Sequence, residues 1–444
     1  MIDTIAGLVI VLNSTYFFIF ASPLIGIPVA LATQALLAAN FLYIYLQKKQ
    51  LLILLRKKIV IGWVITLGVW PLLTSLYSAS ASPRNIGLAL YFCSLFLLAL
   101  IYTTVNGWRK FHALILWSVV LSAIGLILSL IFPETFTAAG LASGARSYYR
   151  GRAFGFFMQP NRAAANIAFL CIIWLSGSQF SNIFKVFTKV LLWMLLILVT
   201  ASRGGLVTSI AAILLIFLDF SLYKWNGKKY LYVIGKTKKK ISEWQRKSFL
   251  NFKKNIFIYL LFLACSVLVF QHLSPNLFGD IEIREFESVI SRTTDFFALD
   301  SLDEVQSIDS AQVRLRAQKQ FIHRIYEHPL IGRGLGSSVH DVEKGVLFLS
   351  SHNAYLSALY DYGVLYLIVY IYTCIYLYRT SQKSKLQYYL GNRIILQFLL
   401  CAAVTSFFNN QVHDSRAYFA ILGGLTSLAL NPEILYVKSN QRHG

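Results

Sequence analysis

The residues of this chain best suited to chemistry are few, and most are arginines. Thr200-Ala201-Ser202-Arg203-Gly204-Gly205 is a tight turn between two apolar runs. A cation at such a tip is costly unless it reaches water or a partner, and a snorkelled hairpin tip is the plain alternative. Ser351-His352-Asn353 stands where the apolar pattern resumes after a long polar stretch. A neutral imidazole there can take a proton or hydrogen bond from a hydroxyl, unless it is merely the interfacial start of a helix. Between the two, Ser310 to His328 carries a helical stripe, Val313, Ala317, Phe321 and Ile325, with Asp309 or Ser310 as cap and Pro329 and Gly332 as stop. Arg314 and Gln318 share one face of that helix, and Arg316, Gln320 and Arg324 another. Segment 133–162 adds Arg146, Arg150, Arg152 and Arg162 among tyrosines, phenylalanines and glycines, and ends in Gln159-Pro160-Asn161-Arg162. Arg152 and Asn161 flank the start of a helix, whereas Arg146 and Arg150 suit an aromatic belt equally well. Guanidinium forks hold phosphate through paired hydrogen bonds. Arginines with one imidazole therefore fit a reaction in which a diphosphate departs and a hydroxyl attacks.

Other patterns carry less. His328-Pro329-Leu330-Ile331-Gly332-Arg333-Gly334-Leu335-Gly336 has glycines at alternate positions, but no strand precedes it, so a nucleotide-binding reading fails on context. The acidic run from Asp280 to Glu287 reads as a solvated face rather than a metal site. The five cysteines all fall inside apolar runs without zinc-like spacing, which predicts neither disulfides nor structural metal, and no cofactor is expected. A net charge of +22 does not point to nucleic acid, because the lysines sit in short segments beside apolar runs.

The elements that must position these residues are membrane helices. Of 444 residues, 57% are hydrophobic and 14% charged, too apolar for a soluble fold. Apolar runs and their breakers predict an all-α integral membrane protein of about twelve spans, near 5–21, 25–46, 59–79, 86–105, 113–132, 163–179, 186–202, 205–222, 255–272, 354–378, 389–409 and 416–435. The first two are divided by Ser22-Pro23 and Gly26-Ile27-Pro28. The N-terminus lacks a basic, cleavable leader, so its first run is expected to stay as an anchor. The lysine-rich segments, above all 223–254, put both termini in the cytoplasm. Outward segments then hold 13 arginines and two lysines, the reverse of the inward bias. This arrangement gives helices one to nine over 1–270 with the arginine-rich outward loop 133–162, a large outward loop over 271–353, and helices ten to twelve with a tail over 354–444. The large loop contains short helices, 12 of the 19 acidic residues and five of the eight histidines.

Taken in order, the Arg152 to Asn161 segment ending Gln159-Pro160-Asn161, the Ser202-Arg203-Gly204 turn, Arg314 ahead of His328 to Gly336, and His352-Asn353 with Leu356, Leu359 and Gly363 resemble the O-antigen ligase and polymerase superfamily of bacterial envelope glycosyltransferases, over most of the chain. The resemblance implies a twelve-helix GT-C-like fold in the bacterial inner membrane, with a periplasmic active site. It implies metal-independent transfer of a glycan from undecaprenyl diphosphate. By motif match Arg203 and Arg314 bind the diphosphate, and His352 activates or orients the acceptor hydroxyl. Arg152 and Asn161 contact the donor, Asn353 joins the substrate side, and Arg316 competes with Arg314 for the same match. Arg333 stands where members often have an apolar residue. The leading expectation is an O-antigen ligase with lipid A-core as acceptor, in lipopolysaccharide biosynthesis, and the runner-up is an O-antigen polymerase using a second lipid-linked glycan. A flippase for lipid-linked oligosaccharides is the alternative from another class. It should carry charge within several spans, yet Asp361 and Asp219 are nearly the only candidates.

Overall fold

The computed structural model describes residues 2–78, 82–142, 153–176, 183–200, 202, 204–216, 309–382, 389–408 and 415–431. Among them all regular structure is helical. The span expected over 5–21 is instead broken into α1 (Ile2–Thr15) and α2 (Phe17–Ala21), with a 72° bend. The break contains neither proline nor glycine. Asn13 Nδ2 and Thr15 Oγ1 donate to the carbonyls of Val9 and Val11, at 2.7 and 2.9 Å, and such back-bonding bends helices. Tyr16 then takes a left-handed conformation, φ 59°.

The Ser22-Pro23 and Gly26 breakers act where the sequence places them, and α3 (Val29–Leu46) follows. Next come α4 (Lys48–Leu55), α5 (Lys58–Val64), a π-helical turn, α6 (Trp70–Ser75), α7 (Pro83–Asn106), α8 (Trp108–Ile131), α9 (Pro133–Ala142) and α10 (Pro160–Ser176). The Ser82 side chain caps α7 by accepting the Asn85 amide at 3.2 Å, with Pro83 in the first turn. The remaining described helices are α11 (Ile183–Val199), α12 (Gly204–Ile216), α13 (Asp309–Ile325), α14 (Ser337–Glu343), α15 (Ala354–Gln382), α16 (Tyr389–Phe408) and α17 (Arg416–Leu430). Among the described residues five stretches are long and apolar enough to cross a membrane: Val29–Leu46, Lys58–Ser75, Asn85–Asn106, Trp108–Ile131 and Ala354–Gln382. The bent first pair makes a sixth if it counts as one span. The expected basic segment 223–254, the span 255–272 and the first part of the large loop, 271–308, lie outside the described residues.

The bundle is organised round α17, which is buried from Arg416 to Ala429. It reaches α7 closely at Gly423, where a Cβ would stand 2.3 Å from the Phe96 carbonyl oxygen. Tyr418 fills the opposite side between Phe169 and Phe398, with ring centroids 5.4 and 5.5 Å away.

Helix α15 is interrupted at Gly363, φ 76° and ψ 180°. Interior helical backbone must find new partners when its own ladder stops. Here the glycine-rich segment supplies them: the amides of Arg333 and Gly334 donate to the carbonyls of Tyr360 and Asp361, both at 2.8 Å. The amides of Val364 and Leu365 donate to the carbonyls of Pro329 and Leu330, at 2.9 and 3.2 Å. Trp70 Nε1 takes the Tyr362 carbonyl at 3.3 Å. The Asp361 carboxylate accepts from the amide and hydroxyl of Ser338, at 2.7 and 2.9 Å, which fixes the start of α14. The alternating glycines therefore serve a backbone splint.

Candidate functional site

Helix α13 ends at Ile325, three residues before the expected His328. Proline disfavours helical conformation in the residue before it, so the chain unwinds through a turn from Tyr326 to His328 ahead of Pro329. The predicted stripe holds in its middle, where Ala317 and Phe321 are buried and Phe321 packs on Tyr360 of α15 with centroids 5.1 Å apart, while Ile325 is partly buried and Val313, its first member, is exposed. This contact and the splint at Gly363 lay α13 over the start of α15.

The Ser351-His352-Asn353 turn is tightly stapled. Ser351 Oγ donates to the Asn353 carbonyl at 2.7 Å and accepts the Asn353 amide at 3.2 Å. Asn353 Oδ1 accepts the amides of Tyr355 and Leu356, at 2.9 and 3.1 Å, and so caps α15. Its oxygen serves the fold, which leaves its amide nitrogen for the site side. Between these two residues His352 is held left-handed at φ 50°, a conformation a non-glycine residue keeps only when its surroundings impose it.

A cleft of about 420 Å³ opens beside this turn, lined by Arg314 and Gln318 from α13, His352 and Asn353, and Val404 and Phe407 from α16. Gln318 Nε2 reaches the Ser351 carbonyl at 3.4 Å, tying the loop helix to the turn. Burial first, and then the Arg314 guanidinium, push the His352 imidazole down to about 4. At neutral pH it is uncharged and able to accept a proton, while Arg314 supplies positive charge to the same space. The opposite wall is apolar, and Phe407 is largely exposed along it.

The structure separates the two arginines that competed by sequence. Arg314 lines the cleft, whereas Arg316 is exposed and lies over the Phe348 ring, 5.6 Å from its centroid. Arg333 is engaged elsewhere: it pairs with Glu327 and, at 3.6 Å, with Asp341, whose carboxylate also accepts the Tyr360 hydroxyl at 2.6 Å. Arg152 and Arg203 lie outside the described residues, but the neighbours of Arg203 are placed. Ser202 Oγ donates to Asn161 Oδ1 at 3.0 Å, which joins the Gln159-Pro160-Asn161 segment to the Ser202-Arg203-Gly204 turn. Among the described residues no group of three or more histidines, cysteines or acids could hold a metal ion.

Sequence reasoning missed Val404 and Phe407, which carry no signal beyond apolarity. It also gave no role to Arg416, an arginine at the start of an apolar helix. Helix α16 ends at Phe408 and α17 begins at Arg416, so Arg416 sits at the same end of the bundle as the cleft.

A family model described as O-antigen ligase matches residues 187–371. No curated protein matches the chain. Among solved structures, one described as "Structural coordination of polymerization and crosslinking by a peptidoglycan synthase complex" is similar over 85% of this chain and 98% of that one, at 12% identity and a TM-score of 0.41. The matched region 187–371 contains the Ser202-Arg203-Gly204 turn, Arg314, the glycine-rich splint and His352 through Gly363, and over that region the chain is similar to the O-antigen ligase family, which supports the O-antigen ligase and polymerase superfamily.

Proposed function

We propose that this chain is an O-antigen ligase, transferring a glycan from an undecaprenyl diphosphate carrier to a sugar hydroxyl of lipid A-core at the periplasmic face of the inner membrane. The observation that carries the reading is the cleft in which a neutral, half-buried His352 faces Arg314 beside an apolar wall. His352 takes the proton of the acceptor hydroxyl as its oxygen bonds to the anomeric carbon of the glycan. The bond from that carbon to the diphosphate breaks, and the diphosphate leaves with the electron pair. Arg314 and Arg203 stabilise its growing charge, and the proton later returns to solvent. Asn161, through Ser202, holds the turn that carries Arg203, and Arg152 approaches the donor from the same outward segment. Asn353 sets the His352 turn. Arg316 stands on the neighbouring face of α13 as a contact to glycan beyond the cleft. The twelve-span, GT-C-like arrangement, with cytoplasmic termini and the large loop 271–353 outside, belongs to the same proposal.

The test is the glycolipid profile of a deletion strain complemented with wild-type, His352→Ala, Arg314→Ala or Arg203→Ala genes. Loss of the gene should leave lipid A-core bare while lipid-carried polymer accumulates, and each variant should reach the membrane yet fail to restore transfer. Single repeat units on lipid A-core in the deletion strain would sink the ligase reading in favour of a polymerase. Full activity of His352→Ala would remove the base assignment. Chelation with EDTA should leave transfer intact.

A further inference from the structure

The connector between the apolar stretches Val29–Leu46 and Lys58–Ser75 is itself helical, and both ends of this helix, α4, are tied to helices that enter the bilayer. The Gln47 amide donates to the Tyr43 carbonyl at 3.0 Å, and the Gln47 carbonyl accepts the Leu51 amide at 3.1 Å. At the far end the Lys57 amide donates to the Leu54 carbonyl at 2.9 Å, while the Lys57 carbonyl accepts the amides of Val60 and Ile61. The backbone thus holds α4 where two spans leave and re-enter the membrane, and its burial follows the helical period. Leu54 is buried and Leu51 and Leu55 pack against the same core, whereas the opposite face exposes Lys48, Lys49, Leu52, Ile53, Arg56 and Lys57. Leu52 and Ile53 are 61% and 53% exposed, so an apolar ridge stands between a basic pair at either end. Such a face suits a bilayer interface, with the ridge among acyl chains and the cations level with phosphates.

Segment 47–58 holds five cations and no acid. Among the described residues no carboxylate pairs with Lys48, Lys49, Arg56, Lys57 or Lys58. Two of them stand where a helix disfavours them: Lys48 and Lys49 occupy the first turn of α4, against the positive end of its dipole, and the Gln47 side chain makes no cap. Lys48 recovers part of this over the Tyr45 ring, 5.4 Å from its centroid. Asp3, an acid at this end of the bundle, is engaged by the Tyr43 hydroxyl at 3.0 Å. Cations that only set topology need to be present in the connector. They need not share one helical face with exposed leucine and isoleucine, nor oppose a dipole.

We infer that the outer face of α4 is a docking surface for anionic glycerophospholipid, whose phosphates meet Lys48, Lys49, Arg56 and Lys57 while Leu52 and Ile53 enter between the acyl chains. Each cation held near an anionic leaflet is worth about fivefold in binding. The surface rests on the membrane placement of the two flanking stretches and not on the chemistry of the His352 cleft.

A reporter on this face tests it without turnover. Full-length protein carrying Tyr45→Trp is reconstituted in phosphatidylcholine vesicles with increasing fractions of dibrominated phosphatidylglycerol or dibrominated phosphatidylcholine, and the quenching added by the new tryptophan is read against wild type. Phosphatidylglycerol should be preferred about tenfold or more, and Lys48→Gln/Lys49→Gln/Arg56→Gln/Lys57→Gln should bring the two lipids level. Leu52→Gln/Ile53→Gln, which keeps every charge, should lower quenching by both lipids as the ridge leaves the chains. Should the fourfold variant fail to fold or insert, Lys48→Gln/Lys49→Gln decides, with a smaller loss of preference expected. Equal quenching by the two lipids without these substitutions, or a preference unchanged in the folded charge variants, overturns the surface and leaves the cations a topological role. Unchanged quenching in Leu52→Gln/Ile53→Gln overturns it as well. An oligomer that Leu52→Gln/Ile53→Gln converts to monomer would assign the face to a second copy of the chain, again against the lipid reading.

Discussion

Two helices of this bundle are broken, α1–α2 at Tyr16 and α15 at Gly363, and they are mended in opposite ways. At Gly363 a segment some thirty residues away lends its backbone, and Trp70 and Asp361 close what remains. At Tyr16 the chain mends itself with the side chains of Asn13 and Thr15, and the Ser14 hydroxyl next to the break is left without a partner among the described residues. The first break is finished as structure and serves as a frame for Arg314 and His352. The second stays polar and collects two guanidinium groups, those of Arg162 and Arg416 over the Tyr16 ring. Irregular backbone in a membrane protein is thus not itself the mark of a site.

The sharpest way to break this comparison is Gly363→Ala. The new Cβ would stand 2.3 Å from the Leu330 carbonyl oxygen in a left-handed conformation, and the combined cost is about 3 kcal/mol. A large fall in Tm and loss of transfer are expected, and wild-type values would show that the splint holds nothing. In surviving protein His352 should be less buried and farther from Arg314, so its pKa should climb from about 4 toward the ordinary histidine range. A base works only above its pKa, so the acid limb of the pH–activity profile should move to higher pH. Next in size, Asp361→Ala leaves the amide and hydroxyl of Ser338 without their acceptor, about 1–3 kcal/mol, read as a lower Tm. Asn353→Ala removes the cap of α15 and should cost about 1 kcal/mol by the same measurement. The smallest effect belongs to the other break: Ser14→Ala should change stability by less than about 0.5 kcal/mol, since no partner is lost. A Tm drop as large as that of Asp361→Ala would show that both breaks are equally closed.

Much of the architecture was legible because membrane helices write themselves as apolar runs punctuated by proline and glycine. The ends of α3 and α7 fall within a few residues of the sequence reading, and the stripe on α13 buries Ala317 and Phe321 though not Val313. The kink at Tyr16 was not legible, because Asn13, Ser14 and Thr15 fit within a helix and only their actual hydrogen bonds show that they bend it. Likewise the glycines from Gly332 to Gly336 announced an unusual backbone without saying that Gly363 was its counterpart. For the site, the sequence supplied Arg314, His352 and Asn353 from one region, and the cleft brings these together. It did not supply Val404 and Phe407, nor the meeting of Arg416 with Tyr16. Those depend on contacts between helices far apart in sequence, and no local pattern encodes them.

Helix α17, buried along its whole described length, has a consequence for biosynthesis. The element at the middle of the bundle is the last of the described helices to leave the ribosome. Its neighbours must wait in the membrane with their inward faces turned to lipid or to one another, and the small surface at Gly423 then lets α17 slide in against α7. Arg416 enters with it, so the guanidinium pair at Tyr16 forms only when the rest of the bundle is in place. A chain stopped before this helix would lack the keystone, exposing an unfilled groove lined by Phe96, Phe111 and Phe398 to membrane quality control.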